Sequence, residues 1–125
     1  DAIQIVFYDV PGLPGTACRA CQTAMAMRRK LKELNRERER QGLFALENGI
    51  GVATGVAISG SIGSRTGRKD FTIIGRVTEQ AAQLEARTVN TTSRILVCNE
   101  TKAALPENFS LGKHDSESWE LLDEC

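Results

Sequence analysis

At 125 residues the chain is long enough for one compact domain and short for two. Hydrophobic residues make up 41% and charged residues 26%, the balance of a globular chain rather than a disordered or fibrous one. Sixteen basic and sixteen acidic residues cancel, which removes the bulk electrostatic argument for a nucleic-acid partner.

No apolar run approaches the roughly 18 residues of a membrane span, so no membrane contact is expected of this segment. The chain opens at Asp1 without an initiator Met or a secretory leader, and reads as a piece of a longer protein. Its first stretch, residues 2–10 (AIQIVFYDV), is apolar and β-branched and predicts a mostly buried strand. Pro11-Gly12-Leu13-Pro14-Gly15 is a turn, because two prolines and two glycines do not continue a ladder, and Thr16 is the expected N-cap of the next helix.

From residue 17 to about residue 40 the period becomes helical. Ala17, Cys21, Ala24, Met27, Leu31 and Leu34 recur at steps of three and four. Residues 28–40 carry seven basic side chains against three acidic ones, a pattern read as a solvated helix end favoured by the C-terminal dipole. Gly42 ends the helix. Cys18-Arg-Ala-Cys21 has the spacing of half a zinc site or a redox pair, but no second pair accompanies it and His114 is the sole histidine. Three residues apart on a helix, the two thiols are read as core packing in a reducing cytosol. Cys98 and Cys125 complete the set.

Residues 49–63 (GIGVATGVAISGSIG) mix β-branched residues with five glycines and predict a strand with bends. Residues 64–70 (SRTGRKD) form a polar loop, and Phe71-Thr72-Ile73-Ile74-Gly75 a second strand, so that the two strands make a hairpin. Neither a Walker loop nor a dinucleotide fingerprint is present. Residues 78–87 predict a helix with Ala81, Ala82 and Leu84 inward. Residues 95–98 predict an interior strand, Asn99 caps a short helix over 100–104, and residues 119–122 make a last strand with Trp119 as a core anchor. This order predicts an α+β domain, with helices packed on one face of a mixed sheet.

These residues resemble a known family. Residues 49–64 (GIGVATGVAISGSIGS) resemble the strand and glycine-rich turn of the class III adenylate and guanylate cyclases. Phe71-Thr72-Ile73-Ile74-Gly75 resembles that family's "YTVIG", and Ala81-Ala82 with Leu84-Glu85 its "AARLE". Asp1-Ala2-Ile3 and Ile5-Val6-Phe7 are similar to "GDAIMAVFG", and residues 17–34 to the helix after it. The resemblance implies one partial cyclase homology domain over residues 1–125. It implies a ferredoxin-like nucleotide cyclase core with a mixed, mainly antiparallel sheet and helices on one face. Such domains work as homodimers or heterodimers with another cyclase-type domain, bind ATP or GTP, and use Mg²⁺ or Mn²⁺ on two aspartates.

Carried over by position, the resemblance puts Asp1 at the second metal aspartate and the first upstream of this chain. Arg76 stands at the acid that reads the purine, Glu79 at the Asn that orients the ribose, and Gln83 at the transition-state Arg. Glu79 repels triphosphate where Asn is neutral, and Gln83 brings no positive charge to it. The expectation is therefore a cytoplasmic, catalytically degenerate signalling domain that acts by regulation and dimerisation. One alternative is the metal-bearing half of an active cyclase completed by a partner. The other is an anion-binding module using Arg76 with Arg65, Arg68 and Lys69, side chains otherwise read as solvated hairpin-tip charges. Phe71, Ile73 and Ile74 are assigned to core or dimer surface.

Overall fold

The computed structural model describes residues 2–63 and 69–124, with the backbone alone described for residues 62, 63 and 69–72. Helix α1 spans Thr16–Arg40 and buries Ala17, Cys21, Ala24 and Met25. All four lie in its first half, because only that half crosses the sheet. The basic second half runs on into solvent, and Leu34 is exposed. Arg38 and Arg40 in the last turn complement the helix dipole. Gly42, with φ +76°, then turns the chain away. The N-cap is Gly15 rather than Thr16, which is already the first helical residue.

Four strands form the main sheet in the order β1 (Ile50–Val52), β4 (Ile95–Cys98), β6 (Ser118–Glu124), β5 (Phe109–Lys113). β1 and β4 are parallel, and the other pairs are antiparallel. A separate antiparallel hairpin joins β2 (Ile58–Gly63) to β3 (Lys69–Ile74). Helix α2 (Arg76–Arg87) follows the hairpin, and α3 (Asn99–Ala104) follows β4. The mixed, mainly antiparallel α+β architecture expected from the sequence is what forms.

The side chains of β4 alternate between two cores, as strand geometry requires. Ile95 and Val97 join Cys21, Ala24 and Met25 of α1 with Phe109 and Leu121, while Leu96 and Cys98 meet Leu84 of α2 on the other side. The first helix therefore covers one face of the sheet and the second the opposite face, where the sequence suggests a single covered face. The reason is visible in Ile-Leu-Val-Cys itself. A strand apolar at every position needs cover on both sides.

Three local readings are also revised. Residues 2–10 form no strand and are largely exposed, with Ile3 at 86%. The segment is instead held by Arg19, whose guanidinium donates to the Tyr8 carbonyl and lies 5.8 Å from the Phe7 ring centroid. An apolar β-branched run becomes a strand only where a neighbouring ladder accepts it. Residues 49–63 do not make one strand. β1 pairs with β4, and the hairpin begins only at Ile58. The short helix α3 is capped by Cys98, whose Sγ accepts from the Thr101 amide at 3.4 Å, and not by Asn99. Asn99 instead accepts from Trp119 Nε1 at 2.9 Å. Trp119 is half-buried at the margin of the core, between the ammonium groups of Lys102 and Lys113 at 4.4 and 4.5 Å. β5 escapes the sequence reading because Phe-Ser-Leu-Gly-Lys alternates over too few residues to stand out.

Gly51 shows why the glycine-rich run must be glycine-rich. A Cβ there would overlap the Ala81 carbonyl oxygen and the Glu85 amide of α2. At Gly60 of β2 a Cβ would meet nothing within 4 Å. Gly51→Ala is therefore expected to lower unfolding stability by about 1–3 kcal/mol through overpacking against helix backbone. Gly60→Ala is expected to leave urea midpoints essentially where they were. Urea unfolding of both variants checks the contrast.

Asp115 organises the turn before β6. Its carboxylate accepts from the Glu117 amide at 2.8 Å, the Ser118 hydroxyl at 2.9 Å and His114 at 3.3 Å. The Glu117 amide bond, then the Ser118 bond, bring its pKa down from 3.8 to about 2. Because the folded value lies below the unfolded one, this stabilisation is complete above the unfolded value of 3.8 and is lost as pH falls toward 2. Asp115→Asn, which keeps an acceptor oxygen but no charge, should show a shallower loss of Tm on acidification than the parent. Thermal melts across that pH range test it.

Candidate functional site

The residues that the family resemblance singles out lie on α2. Its inner face is fixed by Leu84, buried, and by Val77 and Ala81, half-buried. Thr78 donates its hydroxyl to the Gly75 carbonyl at 2.7 Å and closes the first turn. Arg76, Glu79 and Gln83 are spaced three and four residues apart and so share one face. That face lies on the solvent side of the helix, with Arg76, Glu79 and Gln83 all exposed. Ala82 is exposed too, where the sequence pattern turns it inward. Glu79 is the acidic residue of the first turn, where it complements the helix N-terminus.

α2 is set against the base of the hairpin. A Cβ on Gly75 would lie 3.1 Å from the Val56 carbonyl oxygen and 3.2 Å from the Ala57 Cα, so the β3-to-α2 turn sits on residues 56–57. Beside it, Val56, Ile58 and Ile74 are exposed by 92%, 74% and 57%. Ile58 and Ile74 are direct partners in the β2–β3 register. The sequence assigns Ile74 to core or dimer surface, and it lies on the surface. Val56 and Ile58 read in the sequence only as strand residues. Their alternation before Ser59 is the available signal, but nothing in the sequence says which way the hairpin faces.

Asp1, Arg65 and Arg68 lie outside the described residues, and only the backbone of Lys69 is described, so the proposed anion cluster is represented by Arg76 alone. Among the described residues, no group of three or more His, Cys, Asp or Glu side chains is placed to hold a metal ion. The Mg²⁺ or Mn²⁺ position that the resemblance implies rests on Asp1, outside the described residues. Cys21 is fully buried in the core and its thiol is pushed up to about 12, first by burial, then by the neighbouring Cys18. It is protonated and inert at neutral pH. Cys18 packs at the edge of the same cluster, and Cys98 lies on the opposite face of the sheet.

This arrangement matches known proteins. The profile of the family described as "Adenylate and Guanylate cyclase catalytic domain" matches residues 1–120. Among solved structures, the adenylyl cyclase CyaB from P. aeruginosa is 26% identical with a TM-score of 0.75, over 92% of this chain and 64% of that one. The guanylyl cyclase Cya2 is 22% identical with a TM-score of 0.73, over 94% of this chain and 64% of its own length. A bacterial light-regulated adenylyl cyclase is 22% identical with a TM-score of 0.67, over 85% of this chain and 33% of that protein. The chain thus spans less than two thirds of the cyclases it superposes on. No curated protein sequence matches it. With the sheet order, the hairpin and the helix after it in place, the chain belongs to the adenylate and guanylate cyclase catalytic domain family.

Proposed function

We propose that this cyclase domain is catalytically degenerate and serves as a regulatory and dimerisation module of a cytoplasmic signalling protein. The observation that carries the reading is the outer face of α2. Glu79 and Gln83, one helical turn apart and both reached by solvent, occupy the positions that the resemblance assigns to the ribose-orienting Asn and the transition-state Arg. A carboxylate there opposes a triphosphate. An amide cannot neutralise the charge that develops during cyclisation. Arg76 in place of the purine-reading acid reverses a third charge. Neither Glu79 nor Gln83 is buried, so core packing does not explain the substitutions.

The exposed apolar residues beside this face support dimerisation. Val56, Ile58 and Ile74 cluster at the hairpin base, and contiguous apolar surface of this kind marks association sites. The expected partner is another cyclase-type domain, a second copy or a different chain. Among the described residues, no helix is long and apolar enough to cross a membrane.

The test is cyclase activity with Mn²⁺ or Mg²⁺ and ATP or GTP, for the protein alone and mixed with a cyclase half that supplies the nucleotide-reading residues. The expected result is no cyclic nucleotide in either case, while sedimentation shows a dimer that Ile58→Asp with Ile74→Asp shifts toward monomer. Product from the mixture that disappears on Asp1→Ala would overturn the reading and make this the metal-bearing half of an enzyme.

A further inference from the structure

A cavity of about 340 Å³ lies on the α1 side of the sheet, between the second half of α1, residues 46–50 and the turn at residues 91–95. That volume falls in the range of small-ligand sites. The cavity is separate from the outer face of α2, which lies across the sheet, and its chemistry is the same whether or not the domain is degenerate.

Its charge is one-sided. Arg28, Lys32 and Arg94 line it, against the single carboxylate of Glu47. That carboxylate is 80% exposed and meets Arg94 Nη1 only at 3.7 Å, so it compensates little. Arg28 donates to the Leu122 carbonyl at 3.1 Å, which anchors its side chain without neutralising it. Lys32 has no ion pair among the described residues.

Arg94 is the decisive residue. It is the sole non-glycine with positive φ among the described residues, at +62°. Side chains other than Gly, Asn and Asp are disfavoured there. Hydrogen bonds fix its backbone from both sides. Its amide donates to Thr91 Oγ1 at 3.1 Å, and its carbonyl accepts from the Ile50 amide at 2.8 Å. The guanidinium Nε is buried and has no hydrogen-bond partner. A strained backbone that holds a cationic side chain at the wall of a cavity, met only by a loose and exposed carboxylate, points to a ligand rather than to packing.

We propose that this cavity binds a small organic phosphate monoester, held by Arg94, Lys32 and Arg28. Three cations against one carboxylate leave a surplus of two positive charges, and a phosphate monoester carries about −1.5 to −2 at neutral pH. Its oxygens accept from a guanidinium in bidentate fashion. The cavity is larger than a bare phosphate requires, and Leu31 and Ile50 give it an apolar wall for the organic part.

The probes are phenyl phosphate, inorganic phosphate and benzoate, titrated calorimetrically into the protein at matched ionic strength. Phenyl phosphate is expected to bind one to one, more tightly than inorganic phosphate or benzoate. Lys32→Ala and Arg94→Gly should each weaken it about ten-fold or more, the effect of losing a charge-assisted hydrogen bond. Arg94→Gly is the informative variant, because glycine relieves the positive φ and so keeps or raises Tm while removing the guanidinium. No phenyl phosphate binding at about 10 mM, a range far above functional affinities, would overturn the proposal. So would an affinity unchanged in both variants. Equal affinity for phenyl phosphate and inorganic phosphate would overturn the organic-ester assignment.

Discussion

The architecture depends on β4. Four consecutive residues, Ile95 to Cys98, have no solvent exposure at all. Each large apolar side chain of this kind contributes roughly 1.5–3 kcal/mol through burial when its environment is dry and filled. That burial is possible only if both faces of the strand are covered. α1 covers one with Cys21, Ala24 and Met25, and α2 covers the other with Leu84. β1 and β6 then occupy its two edges, one parallel and one antiparallel. A change to β4 is therefore felt by both helices, whereas a change on the outside of either helix is felt by neither core.

Gly51 extends the same constraint to β1. The approach of α2 to this strand leaves no space for a side chain at the point of contact, and Gly49 is closed in the same way by Thr88. This separates two kinds of glycine in one run. Those at 49 and 51 let a helix lie on the sheet, while Gly60 in the hairpin faces open space. The glycine-rich composition of residues 49–63 is thus partly a packing requirement and partly not, and composition alone does not distinguish the two.

Much of the fold was legible in the sequence because the strongest signals are local. The helical period of residues 17–40 locates α1 to within a residue, and the run Ile-Leu-Val-Cys locates the interior strand. What was not legible depends on neighbours. Residues 2–10 have the composition of a strand, yet no ladder receives them, and their apolar side chains lie largely in solvent. The break between β1 and β2 is set by which strand each segment pairs with, and pairing is not a property of either segment alone. Cys98 outcompetes Asn99 as helix cap because the preceding strand turns its Sγ toward Thr101. The α2 positions stand out in the sequence only through the family resemblance. Arg94 was not, because nothing in residues 91–94 (TTSR) announces a positive φ on an arginine.

The placement of Arg76, Glu79 and Gln83 separates the residues that carry the fold from those that meet solvent. α2 is held by Leu84, by the glycine contact at β1 and by the turn at Gly75, none of which involves the outer face. Substitutions on that face therefore cost the fold almost nothing. Glu79 even adds a favourable charge to the first turn. Stability places no barrier against substitution on that face, whereas β4 stays constrained by packing. A domain built this way keeps its scaffold when the side chains on that face change, because different residues carry the two.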